Sequence, residues 1–183
     1  MGIRNILRDG DRSLLKKSRV VTDFNKRLHV LLDDMRETLI DANGLGLAAP
    51  QVGVLRRAVL VVDTNIEDED DEKDEEDKEE RQPDKRFIEL INPEITASSG
   101  QQTGNEGCLS IPGLYGVVSR PELVKVKAQD RHGAEFELWC NDLMARAVCH
   151  EIDHLNGVLF TSIAESTLTE EEMDRLNAEE NEE

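Results

Sequence analysis

The sequence predicts an α+β fold in which antiparallel strands and hairpins pack around a C-terminal helix carrying an HExxH box, with an amphipathic helix near the N-terminus. Three observations lead there. Leu28, Leu31, Leu32, Met35 and Leu39 recur at three- and four-residue intervals, the period of a one-sided helix. Val124, Val126 and Ala128 alternate with Lys125 and Lys127, the period of a strand with one solvated face. The stretch NDLMARAVCHEIDHL then returns to helical spacing. A chain of 183 residues has room for one domain with a sizeable core and too little for two.

After a basic N-terminal arm, TDFNKRLHVLLDDMRETLIDANG is the first helix, with Thr22 expected to cap its start and Asn43-Gly44 to end it. The glycine-rich GLGLAAPQVG follows, and AVLVVD from Ala58 reads as a strand. RFIELINPEIT reads as two short strands parted at Asn92-Pro93. Gly100 to Gly116 is rich in glycine and turn formers and contains EGCLS. ELVKVKAQD and EFELWC, joined by DRHG, form a hairpin. The second helix starts at Asn141 or Asp142 and ends near Gly157, and Thr169 three residues before Glu172 is a capping-box spacing for a short surface helix. These divisions give one catalytic domain over 1–165 and an acidic tail with a short helix over 166–183.

The formal net charge of −18 is not spread over the molecule. Residues 67–80, EDEDDEKDEEDKEE, carry −10, and the stretch from Glu165 to Glu183 carries −8, so the rest of the chain is balanced. A block of like charge with no apolar residues buries too little to offset the entropy of ordering, so 67–80 is expected to be a solvated, mobile loop. Neither a basic patch nor a basic tail is present to neutralise phosphates, which disfavours DNA and other specific nucleic-acid binding. Three cysteines at uneven spacing do not describe a disulfide framework and fit a reducing cytoplasm. The longest aliphatic run, AVLVV, is far too short to cross a bilayer, and Ile6 stands where a myristoylation signal wants Ser or Thr, so no membrane association is expected.

The chemistry is concentrated in HEIDHLNG. On a helix, His150 and His154 lie one turn apart on one face, so both imidazoles reach one ion, while Glu151 is rotated by roughly 100° and can serve as a general base without becoming a ligand. A third ligand is required. Phe160 stands where a three-histidine peptidase box would place its last histidine. A glutamate among Glu170 to Glu172 is an alternative, but a solvated face suits those residues better. Cys149 and Cys140 read as packed small hydrophobes. Cys108, in the turn-rich NEGCLSIPG, sits where packing does not call for a thiol. One thiolate with two imidazoles leaves a coordination position open, as catalytic sites do.

Three stretches together, GLGLAAPQ at Gly44 to Gln51, EGCLS at Glu106 to Ser110 and HEIDHLNG at His150 to Gly157, resemble in order and interval the motifs of the peptide deformylases. The likeness runs from near the N-terminus to about Phe160. It implies that Cys108, His150 and His154 are metal ligands, that Glu151 is the catalytic acid/base, and that the Gln51 side-chain amide and the Leu109 backbone N–H meet the oxyanion. It further implies Fe(II), with Zn, Ni or Co also able to fill the site, and hydrolysis of the formyl group from N-formylmethionine of nascent peptides. Gly44, Gly46 and Gly107 then let a substrate backbone approach, Tyr115 and Ala147 line the pocket, and Glu106 pairs with Arg120 to hold the cysteine loop. A thiolate beside ferrous iron implies sensitivity to oxygen. The acidic loop and tail depart from the family. An acidic tail would be repelled by RNA, so any ribosome proximity is expected to be transient and without a basic tail anchor. The rival readings are an HExxH zinc peptidase with a downstream glutamate ligand and a non-catalytic relative with a structural metal.

Overall fold

A computed structural model describes residues 2–64 and 87–180, and the acidic loop expected at 67–80 lies outside the described residues. Helix α1 (Lys26–Asp41) leads into a short strand β1 (Gly46–Ala48), a 3₁₀ turn (Ala49–Val52) and strand β2 (Ala58–Val62). Strands β3 (Phe87–Ser99), β4 (Gln102–Cys108), β5 (Ile111–Arg120), β6 (Leu123–Gln129) and β7 (Glu135–Asn141) precede helix α2 (Asp142–Leu155). A second 3₁₀ turn (Phe160–Ser162), strand β8 (Ser166–Thr169) and helix α3 (Glu170–Glu180) follow. The strands form two antiparallel sheets, ordered β1-β2-β3-β6-β7 and β4-β5-β8. The mixed helix and antiparallel-sheet class is therefore as expected.

Side-chain alternation explains why β2 is apolar throughout. Val59 and Val61 face α2 and pack with Val148, Cys149, Ile152 and Leu155. Ala58 and Leu60 face α1 and pack with Leu32, Met35 and Leu39. A strand covered on both faces has no position for a polar residue. Farther along the sheet, Val124, Val126 and Ala128 point to α2. Lys125 and Lys127 point to solvent and pair across the strands with Glu137 and Glu135. On its opposite, polar side α2 meets β4 and β5, so it lies between the two sheets.

Several local expectations change. Asn25, not Thr22, caps α1: its Oδ1 accepts from the N–H groups of Arg27 (2.9 Å) and Leu28 (3.4 Å). Within RFIELINPEIT, Arg86 lies outside the described residues and FIELINPEIT is not two strands but part of the single β3, with register shifts between Ile91 and Glu94 and between Ile95 and Ala97. Asn92, at φ 52, absorbs the first shift, its side chain accepting from Val21 N–H and donating to Val21 O and Gln129 Oε1. The glycine-rich 100–116 region carries most of the β4–β5 hairpin. Gly116 has no side chain because a Cβ there would lie 2.8 Å from the Phe160 ring. Residues 166–169, which sequence assigns to the tail, form β8 and close the second sheet against β5.

Candidate metal centre

Helix α2 begins as β7 ends. Asp142 holds the corner at φ 46 and donates its backbone N–H to Glu122 O at 2.8 Å. The helix stops at Leu155 and the chain turns away at Gly157, where φ is 75 and a Cβ would lie 2.6 Å from the backbone of Leu15, so only glycine fits. Between those ends the apolar residues face the five-stranded sheet. His150, Glu151 and His154 are all buried; the two histidines meet Glu106 and Cys108 of β4, and the Glu151 carboxylate lies against Gly46 of β1.

Cys108 closes β4 just after a register shift: Gly107 opposes Tyr115, yet Cys108 opposes Ile111. The thiol reaches α2 there. One ligand atom from each of Cys108, His150 and His154 lies within 4.8 Å of the others, and Cys108 Sγ stands 3.2 Å from His154 Nε2. The two imidazoles cross nearly edge to face, with centroids 4.9 Å apart, and the His150 ring stacks on Phe160 at 6.2 Å. His150 Nδ1 is 3.1 Å from Glu106 Oε2, which fixes the ring and leaves Nε2 for other partners.

The donor set fits a soft or borderline cation: one sulfur, two imidazole nitrogens and no fourth protein ligand among the described residues. In the metal-free protein burial, with the charges of His150 and Arg120, holds His154 down at about 3. Burial also works against the charged His150 ring, but hydrogen bonds to Cys108 and Glu106 outweigh it and hold that ring up at about 10, so a cation at this site would take the place of the His150 proton. Glu151 is 4% exposed and its Oε2 has no hydrogen-bond partner among the described residues, an orphaned oxygen that burial alone would penalise. Burial pushes this carboxyl up to about 7; the His150 charge opposes that rise and the Glu106 charge adds to it.

Gln51 is 1% exposed. Its Oε1 accepts from Ala48 N–H at 2.8 Å, which settles the amide orientation and turns the NH₂ toward Ser110 Oγ (3.3 Å) and Cys108 Sγ (3.6 Å). Leu109 occupies the turn after Cys108. One cleft is lined by Gly44, Gly46, Gln51, Gly107, Cys108, Leu109, Tyr115, Ala147, His150 and Glu151, so every residue expected from sequence to be a ligand, a catalytic group or a pocket wall borders it except His154. A Cβ at Gly46 would lie 2.5 Å from Glu151 Oε1, so its bareness makes room for that carboxylate.

Sequence reasoning missed Arg146. This buried guanidinium donates to Glu106 Oε1 (2.9 Å), Val118 O (2.9 Å) and Gly104 O (3.3 Å) through Nη1, and to Gln102 O (3.3 Å) through Nη2. Glu106 also accepts from Arg120 at 2.8 and 3.0 Å, and Arg120 reaches Asp153 at 2.6 Å. The available signal was an arginine one turn before His150 within the apolar run of a buried helix. The expected Glu106–Arg120 pair is thus one edge of a buried cluster, not a surface pair. Burial works against the Glu106 anion, but hydrogen bonds from His150 and Arg120 outweigh it and hold the carboxyl down at about 2.

The polypeptide deformylase family model matches residues 3–170. A peptide deformylase of Caldicellulosiruptor bescii is 48% identical over 175 residues, 96% of this chain and 93% of that protein. One from Lachnoclostridium phytofermentans is 49% identical over 160 residues, 87% of this chain and 88% of the relative. The crystal structure of a peptide deformylase from Legionella pneumophila superposes with a TM-score of 0.76 at 37% identity, covering 99% of both chains.

Proposed function

The chain belongs to the polypeptide deformylase family, and from that premise we propose that Cys108, His150 and His154 hold its metal ion while Glu151 moves the protons of formyl hydrolysis. The enzyme is a metal-dependent hydrolase that removes formyl groups from nascent peptides. The observation that carries the residue assignment is the convergence of three ligand atoms within 4.8 Å beside a buried carboxylate oxygen that no protein donor satisfies.

When bound, the ion supplies Lewis acidity toward the formyl carbonyl and toward water. Glu151, enclosed and free of hydrogen bonds at Oε2, accepts a proton from the attacking water and delivers it to the departing amine. The Gln51 amide, with its oxygen tied to Ala48, presents N–H toward the developing oxyanion, joined by the backbone N–H of Leu109. Glu106 orients His150 through Nδ1. Gly44, Gly46, Gly107, Tyr115 and Ala147 form the walls that take the formylmethionyl end. Fe(II) is the proposed resident ion, with Zn, Ni or Co as substitutes for the same donors.

No described helix is long and apolar enough to cross a membrane, and free thiols at Cys108, Cys140 and Cys149 support a reducing, cytoplasmic setting. The catalytic unit is proposed to run through β8, since β5 needs that strand as its partner. Any meeting with the ribosome is proposed to be transient and independent of α3, whose first turn carries Glu170, Glu171 and Glu172. A peptidase using a downstream glutamate is not favoured, because among the described residues the ligand group is completed by Cys108.

Anaerobic purification with metal analysis, followed by formate release from a formyl-Met peptide, tests the assignment. Wild type is expected to carry about one ion and to release formate. Cys108→Ala is expected to lose both; a Cys108→Ala protein that keeps its metal would overturn the ligand set.

A further inference from the structure

The acidic tail has so far no part in the reaction, yet its first helical residue borders the cleft. Glu170 lines the same cavity as Glu151 and Gln51. Its place is set by the fold: β8 pairs with β5, Leu114 opposite Thr169, and the next residue opens α3. Asn105 Nδ2 donates to Met173 Sδ at 3.4 Å, which docks α3 against β4. On the facing wall Gly113, at φ 75, has no side chain, and a Cβ built there would lie 3.7 Å from the Glu170 carboxylate.

The neighbouring acids are already engaged. Glu172 accepts from Thr169 N–H (2.8 Å) and Oγ1 (3.0 Å) in the capping box, and Glu171 faces Arg175 at 4.0 Å. Glu170 has no ion-pair partner among the described residues. Of the other charged groups on the cleft, Arg146 and Glu106 neutralise one another in the buried cluster, His150 and Glu151 belong to the reaction centre, and Arg8 donates to Leu109 O. Among the described residues that line the cleft, Glu170 is therefore the uncommitted anion.

We propose that Glu170 is a specificity determinant that attracts a basic side chain of the incoming peptide downstream of its formylmethionine. The inference rests on the deformylase reading. Gly113 lies in the stretch of β5 that the register shift leaves unpaired with β4, between Ile111 opposite Cys108 and Tyr115 opposite Gly107, so Glu170 meets the cleft next to the cysteine turn. An exposed pair of this kind changes affinity by up to about fivefold, weakens with salt, and acts on KM more than on kcat because it is made equally in ground and transition states.

The test measures formate release from formyl-Met-Ala-Lys, formyl-Met-Ala-Gln and formyl-Met-Ala-Glu, with companion peptides carrying the charge one residue earlier or later, at low and high salt. The expected kcat/KM order is Lys above Gln above Glu, with a Lys-to-Glu ratio of about fivefold that sits in KM and shrinks at high salt. Glu170→Gln should bring the ratio close to one and Glu170→Lys should invert it, while Glu171→Gln should keep it. A wild-type ratio of one at every position, or a ratio that survives Glu170→Gln, overturns the inference while leaving the deformylase reading intact. Absence of formate from every peptide overturns both.

Discussion

Glu151 keeps one oxygen unsatisfied inside an enclosed site, a condition a structural carboxylate would not retain. Glu151→Gln preserves shape and removes the proposed base, so activity is expected to fall by about 10²–10⁴-fold while metal content stays near one ion per chain. Loss of the metal from that variant would make Glu151 a ligand instead. For wild type the sign of the pH effect is fixed by burial: the base works only when deprotonated, and its value in the metal-free protein is about 7. A bound cation favours the anion. The acid limb of kcat/KM is therefore expected at or below about pH 7, and it should vanish from the residual rate of Glu151→Gln. At Gln51, replacement by Ala removes an oriented donor and should lower kcat by about 10²–10³-fold.

At the scale of elements, α2 is clamped to the β4–β5 hairpin through Arg146, Glu106, Arg120 and Asp153, and this clamp brings the helix histidines to the cysteine turn. The folded Glu106 carboxyl lies at about 2, below its ordinary 4.5. Its stabilising contribution is thus full above pH 4.5 and is lost as pH falls from there toward 2. Denaturant melts of the metal-free protein should show wild-type stability dropping through that window, and Glu106→Gln should be less stable at pH 7 with a flatter acid limb. Arg146→Met leaves an underpaired carboxylate in a buried cluster and should cost about 3 kcal/mol or more in the same melts; an unchanged midpoint would remove Arg146 from the clamp. Neither arginine's partnership could be read from spacing. Gln102, Gly104 and Glu106 meet Arg146 only because β4 lies across α2, some forty residues away in sequence. The capping box at Thr169 and Glu172, by contrast, is a three-residue relation and was legible.

Across the whole molecule, the thiols divide by burial. Burial lifts Cys140 to about 12 and Cys149 to about 11, whereas Cys108 is only partly buried and stands at the cleft. Alkylation of native metal-free protein at pH 8 should therefore modify one cysteine of three, and denatured protein all three; rapid labelling of Cys149 in the folded state would contradict the packing of α2 on the large sheet. The acidic tail should leave ribosome cosedimentation unchanged when it is deleted after Thr169, and tail-dependent pelleting would show that it anchors after all. Helical and strand periods, the histidine pair with its glutamate, and the isolated turn cysteine were legible in the chain, because each depends on neighbours within one or two turns. The two-sided burial of β2, the register shift that swings Cys108 toward α2, the arginine cluster beneath His150 and the arrival of Glu170 on the cleft wall were not. Those follow from strand pairing and burial between segments far apart in sequence, whose contacts no local spacing records.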